Sequence, residues 1–379
     1  MTRFFISLVL AVGLVVTTAA CVPTPAPMPS NSADPSPSAD PVIAPQPLLD
    51  IACSDLASAS DISRYLVGAV TPQGLRGDDP DAQPMRTLQL RQLGGLRCVW
   101  SNGVTHAFNN ASPRIAATVE VLPGADAAAK WDRYRKNSTV QEGTEEYYCS
   151  FNVVVEPSFD DGCIYNGFAG DAWVSIFLES VPSGEYASKV ELQTATRPLI
   201  AQIAQKVAAA EPANSPWSPP GGTPPLPKDC ENIVSGASVA AATESEKPVD
   251  SFVYRDGPQA DMTLGLDDHF VVPVCTWAYK DLDSGPGSLT AWFGGEWAWR
   301  EMRSGEREDM AGDASGAQFW LDCRPGVQTC TADLVVDHNW IRLTLNDPDP
   351  QGAVDGYTYS ADKATALRTI AAEVLKNLE

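Results

Sequence analysis

The chain reads Cys53-Ser54-Asp55-Leu56 and, 45 positions on from that cysteine, Cys98-Val99-Trp100; it then reads Cys230-Glu231-Asn232-Ile233 and, again 45 positions on, Cys275-Thr276-Trp277. Outward from these anchors the agreement continues. Each set holds four cysteines: Cys53, Cys98, Cys149 and Cys163, then Cys230, Cys275, Cys323 and Cys330. The later intervals are 51 and 14 in the first set, 48 and 7 in the second. Trp131-Asp132-Arg133-Tyr134 resembles Trp299-Arg300-Glu301-Met302, and Trp173-Val174-Ser175-Ile176 resembles Trp340-Ile341-Arg342-Leu343. Each set closes with an Ala-rich helical run, near 190–210 and 360–378. Agreement of so many features in one order reads as a tandem duplication.

Composition is consistent with two such copies. At about 150 residues per domain, 379 residues allow two or three domains, and 44% hydrophobic content supports packed cores. Between the copies, residues 212–227 are rich in Pro with Gly221-Gly222, which reads as a linker stiffened by proline and hinged at the glycines. Repeat A is then 49–211 and repeat B 228–379. In each copy a helix follows the first cysteine (Ser54–Val67 and Glu231–Ala242), and a strand carries Cys-x-Trp. A second strand comes next (Ala116–Leu122 and Ser288–Phe293), then a helix with Trp131 and Tyr134, or Trp299 and Met302, at i,i+3 spacing. Strands near the third and fourth cysteines lead into the Trp173 or Trp340 strand, and a terminal helix closes the copy. The predicted fold class is α+β: an antiparallel sheet with packed helices in each repeat.

The ninth cysteine stands apart. Arg3, the apolar stretch Phe4–Val16 and the small residues Thr18-Ala19-Ala20 precede Cys21. That run resembles the lipobox of bacterial lipoproteins, with Thr18 where Leu is commonest. The resemblance implies a signal peptide over 1–20 and a lipid of the palmitate type on Cys21, holding the chain at the extracytoplasmic face of the cell membrane. An ordinary secretory signal is the alternative reading. Residues 21–48 are dominated by Pro, Ala and Ser and predict an extended tether, reaching roughly 80 Å at about 3.1 Å per residue. The repeats themselves resemble small domains of unknown function in Gram-positive envelope lipoproteins, in which a cysteine opens the first helix and a later strand carries Cys-x-Trp. That class supplies no catalytic residues.

An exported chain predicts paired cysteines. Pairing within repeats and alike in both leaves three connectivities. The short third interval favours Cys149–Cys163 and Cys323–Cys330, leaving Cys53–Cys98 and Cys230–Cys275. Metal binding is the rival reading, but His106, His269 and His338 do not cluster with cysteines.

Charge and motifs narrow the function. Acidic residues outnumber basic ones 48 to 26, a net −22, which disfavours nucleic acid and anionic lipid surfaces as partners. No nucleophile elbow, zinc-protease motif, phosphate loop or Cys-x-x-Cys pair is present. Asp347-Pro348-Asp349-Pro350-Gln351-Gly352 begins like a calcium loop, yet its twelfth position is Thr358, which cannot supply a bidentate carboxylate. Asp78-Asp79-Pro80-Asp81 and Asp281-Leu282-Asp283 are weaker, so no cofactor is expected. Asp337-His338 reads as a turn. In the Trp340 strand, Ile341, Leu343 and Leu345 alternate with Arg342 and Thr344, so Trp340 and Arg342 share the more polar face; Trp173 and Phe177 occupy its equivalent in repeat A. That face is a candidate platform for an apolar or sugar-like ligand, or alternatively is covered by a helix. The expected function is a non-enzymatic binding or accessory module on a stalk, with an envelope protein or small ligand as partner. A paired-carboxylate glycan-acting enzyme and a structural spacer are the alternatives.

Overall fold

Two antiparallel sheets, one per repeat, organise the chain, and the same strand order builds both. The computed structural model describes residues 42–74, 84–104, 114–124, 127, 131, 145–150, 162–253, 275–280, 285–302, 306–308, 317–323, 329–346 and 362–378. Cys21 and the expected tether through residue 41 lie outside the described residues, and the rest belong to one unit, Val42–Glu379.

Repeat A runs α1 (Cys53–Leu56), α2 (Ala59–Ser63), β1 (Thr71–Gln73), α3 (Pro84–Gln92), β2 (Leu96–Ser101), β3 (Ala116–Leu122), β4 (Glu145–Cys149), β5 (Gly162–Ala169), β6 (Ala172–Glu179) and α4 (Lys189–Ala208). Repeat B runs α5 (Cys230–Ile233), α6 (Gly236–Ala242), β7 (Val249–Val253), β8 (Cys275–Tyr279), β9 (Gly287–Trp292), α7 (Glu296–Met302), β10 (Glu306–Glu308), β11 (Gln318–Asp322), β12 (Thr329–Val336), β13 (Asn339–Asn346) and α8 (Lys363–Leu378). Sheet A is ordered β1-β2-β3-β6-β5-β4; sheet B, read from its other edge, is β7-β8-β9-β13-β12-β11 with β10 added outside β11. Every strand pair is antiparallel, so the α+β class and the duplication both hold.

The single helix predicted after each first cysteine is two helices. Ser58 accepts a hydrogen bond from the Asp61 amide and Ser235 from the Ser238 amide, so each serine caps a new helix and breaks the run. Of the predicted Trp131 helix, Ala127 and Trp131 are helical, and its remainder lies outside the described residues. Asp337 and His338 both have positive φ, 47° and 68°, and form the tight turn of the β12–β13 hairpin.

One face of each sheet packs on helices. In A, Trp100, Val119, Ile176 and Leu178 meet Leu199, Ile203 and Val207 of α4; in B, Trp277, Leu289, Ile341 and Leu343 meet Leu367, Ile370 and Val374 of α8. The disulfides are Cys53–Cys98, Cys149–Cys163, Cys230–Cys275 and Cys323–Cys330, two in each repeat. By loop-closure entropy, each separation of 45 contributes about 4 kcal/mol and the separation of 14 about 3 kcal/mol.

The second faces meet at a seam. Leu88 of α3 is buried among Trp292, Trp297, Trp299, Trp320 and Trp340 of repeat B, while Leu90 of the same helix packs with Leu122, Trp131 and Trp173 of repeat A. Arg91 makes two bonds to Glu301, at 2.9 and 2.8 Å, and its guanidinium lies 5.3 Å over the Trp297 ring. Gln92 donates to the Phe293 carbonyl at 2.9 Å. The linker expected to hinge is tied down here. Ala213 N–H donates to the Leu48 carbonyl at 2.8 Å, the Trp217 indole to the Ile43 carbonyl at 3.0 Å, and the Asn339 amide to the Pro224 carbonyl at 3.0 Å.

Candidate functional site

The face expected to present Trp173, Phe177, Trp340 and Arg342 is internal. Trp173 and Trp340 are buried to 0% and 1% exposure, and Phe177 and Arg342 are half-buried. Trp340 stacks on Trp292 at 5.0 Å, and its indole donates to Asp333 at 2.8 Å. Asp333 also receives two Arg342 bonds, at 2.8 and 2.9 Å, with the guanidinium 4.9 Å over the Trp340 ring. Trp173 meets Trp131 edge-on at 5.4 Å. Alternation placed these side chains on the right face, but α3 and α7 cover it. The acidic loops at 78–81, 281–283 and 347–352 lie outside the described residues, as do His106 and His269. Among the described residues no cluster of three metal-ligating side chains occurs. His338 bonds through Nδ1 to Glu296 at 2.7 Å, and Glu296 also pairs with Arg300.

A groove of about 620 Å³ opens instead on repeat A, between α4 and the edge strand β4. Its helical wall is Val190, Gln193, Thr194, Arg197, Pro198 and Ala201, a stripe at i,i+3,i+4,i+7,i+8,i+11. At 1.5 Å per residue that stripe is about 16 Å long. Glu145 and Tyr147 form the other wall. The spacing makes the groove elongated, and its chemistry is mixed. Two Arg197 nitrogens bond to Glu145 Oε1 at 2.9 Å each, and the guanidinium lies 5.2 Å over the Tyr147 ring. The Tyr147 hydroxyl bonds to the Thr196 hydroxyl and donates to the Gln193 carbonyl at 3.2 Å. Gln193 Nε2 donates to the Tyr147 carbonyl at 3.0 Å. Burial pushes the Tyr147 phenol above its ordinary range, opposed by its Thr196 bond and by Arg197. The hydrogen bond to Glu145 holds Arg197 above its ordinary value. Pro198 has no N–H to offer the Thr194 carbonyl one turn back. Val190 is 69% exposed at one end.

Repeat B is built differently at this place. Aligning α4 with α8 by their buried positions sets Leu199, Ile200 and Ile203 on Ile370, Ala371 and Val374. Gln193 then corresponds to Ala364, Thr196 to Leu367, Arg197 to Arg368 and Pro198 to Thr369. Aligning the disulfides sets Tyr147 on Leu321 and Glu145 on Phe319. Where A carries a hydrogen-bonded polar trio, B carries apolar residues: Leu367 and Leu321 are buried and Ala364 packs against them. The sequence contained this signal, but only a residue-level alignment of the two copies brings it out, and cysteine and tryptophan matches do not.

Among the described residues the lining holds one carboxylate, Glu145, engaged by Arg197. No protein-family model matches the chain, and no curated protein matches it. Among solved structures, DynU16, a protein of the dynemicin biosynthetic locus, matches at 13% identity with a TM-score of 0.12, covering 82% of this chain and 96% of that one. A likeness at that score carries no argument.

Proposed function

We propose that the chain is a lipid-anchored envelope protein whose paired repeats form a non-enzymatic binding module, with the α4–β4 groove of repeat A as its contact surface. The observation that carries this reading is the divergence of the two copies. Polar groups cost stability in a packed layer unless they are satisfied, and repeat B meets the same packing need with Leu321 and Leu367. Repeat A keeps Tyr147 and Gln193 at the wall of an open groove, with the buried Thr196 behind them bonded to the Tyr147 hydroxyl. The sequence supports the address: Cys21 follows small residues and an apolar run, and a proline-rich segment separates it from the first repeat. Loss of Arg3 with the signal changes the net charge from −22 to −23, which makes attraction to anionic headgroups a poor substitute for an anchor.

One cell experiment addresses both halves. Cys21→Ala is expected to move the protein from the membrane fraction to the soluble fraction; retention in the membrane would overturn the anchor. A photo-crosslinking residue at Thr194 is expected to give a discrete adduct that the same residue at Arg64, far exposed on repeat A, does not give. Identical adduct patterns from both positions would overturn the contact surface.

A further inference from the structure

We infer that the outer edge of β4 is a strand-addition site for an extended peptide carrying an acid and, two residues later, a base. This rests on the groove being a contact surface and names what occupies it.

The edge geometry comes first. The Cα atoms of Cys149 and Cys163 are 4.0 Å apart, the spacing of a pair that exchanges no backbone hydrogen bonds, whereas the next pair does: Ser150 N–H donates to the Gly162 carbonyl at 2.8 Å. Alternate residues along β4 therefore turn their N–H and C=O groups away from β5, and these are Cys149, Tyr147 and Glu145. Among the described residues β5 is the neighbour of β4, so this edge is the end of sheet A.

The second repeat shows what such an edge accepts. On the equivalent strand β11, the short extended segment β10 pairs antiparallel, with Glu306 opposite Leu321 and Glu308 opposite Phe319. Leu321 and Phe319 are the counterparts of Tyr147 and Glu145. The difference at the helix fits. Repeat B, with its edge occupied, has Ala364, while repeat A has Gln193, whose side-chain amide donates to the outward Tyr147 carbonyl as a peptide N–H would. Gln193 is a placeholder on a rotatable side chain.

Charge then sets the ligand. Residues directly opposite on paired strands share a face, so a peptide residue opposite Tyr147 lies toward α4, where Arg197 sits over the Tyr147 ring. An acid there meets the guanidinium. The residue opposite Glu145 lies on the same face, and a base there takes over the carboxylate. Run antiparallel as β10 does, the motif is acid–any–base from N- to C-terminus.

The test uses the mature full chain carrying Cys21→Ala and a fluorescent peptide, Thr-Val-Glu-Thr-Lys-Val-Thr. Saturable binding is expected by polarisation, with slowed amide exchange over 145–149. N-methylation at the peptide Glu and Lys removes donors aimed at β4, and a loss of about tenfold or more is expected. Arg197→Ala is expected to weaken binding about tenfold, and Gln193→Ala to tighten it severalfold because the Tyr147 carbonyl is freed. Equal binding by the N-methylated peptide, or no saturable binding to either the parent or Gln193→Ala, would sink strand addition. If the peptide fails while the Thr194 crosslink still gives its specific adduct, the contact surface stands and this ligand class falls. If both fail, both fall.

Discussion

Asp333 holds three donors in a 4% exposed position: the Trp340 indole and two Arg342 nitrogens. Arg342 is more basic than usual because its bond and charge contacts with Asp333 outweigh its burial, although burial is the largest single influence and acts the other way. The trio fills the layer between sheet B and α3, so its removal is felt as a buried unpaired charge. Asp333→Ala is expected to cost about 3 kcal/mol, at the low end for buried pairs because a fifth of the Arg342 side chain reaches solvent. Asp333→Asn, which keeps an acceptor for the indole, is expected to cost less. Urea unfolding checks both, as a lower midpoint at unchanged slope. At this scale the sequence was half legible. Alternation identified which side of β13 Trp340 and Arg342 share. Asp333 was invisible as a partner because it sits on another strand, opposite Arg342 in a register no local pattern reveals.

Helix ends govern the elements. Asp362 caps α8, its carboxylate accepting from the Thr365 amide and hydroxyl at 2.9 Å each. The amide bond first, then the hydroxyl bond, hold the Asp362 carboxyl below its ordinary 3.8. The folded value is the lower one, so the stabilisation is present above the unfolded value and is lost as pH falls through the folded value. Asp362→Ala is expected to cost about 1 kcal/mol at pH 7, with the gap to the parent narrowing below about pH 4. Paired unfolding curves at pH 7 and pH 3 measure it; a gap that persists unchanged at pH 3 would exclude the carboxylate as the cause. Terminal helices were readable because each has one buried stripe, and the central strands because they are short, almost wholly buried runs rich in apolar residues. Ala116–Leu122 matches β3 residue for residue. The helix α3 was not, since Leu88 and Leu90 are both fully buried but point into different repeats. A helix buried on two sides lacks the single stripe that periodicity detects.

For the whole molecule the seam decides behaviour. Six of the ten tryptophans pack in or against one cluster there, and the residue of repeat A fully buried among them is Leu88. Leu88→Ala is expected to cost about 3 kcal/mol. The cost falls on the coupling between repeats, so calorimetry is expected to change from one transition to two. A single transition merely shifted in temperature would show that Leu88 supports repeat A alone. Duplication was legible from cysteine spacing, and so were the four disulfides once each repeat was required to match the other. The seam was not, because the proline-rich segment between the copies looks the same in sequence whether it swings free or is clamped.

The segment that enters the fold at Val42 is gripped from both sides. Arg91 of repeat A bonds to the Pro45 carbonyl at 3.2 Å, Leu48 N–H to the Gly94 carbonyl at 2.9 Å, and the linker holds Ile43 and Leu48 through Trp217 and Ala213. If the chain is moored through its N-terminal segment, as proposed above, these bonds become the load path. A tug arriving at Val42 would then be shared among several bonds to repeat A and to the linker, rather than peeling one strand at a time from a free edge. Mechanical strength at the mooring point would then come from the segment that composition alone marks as slack.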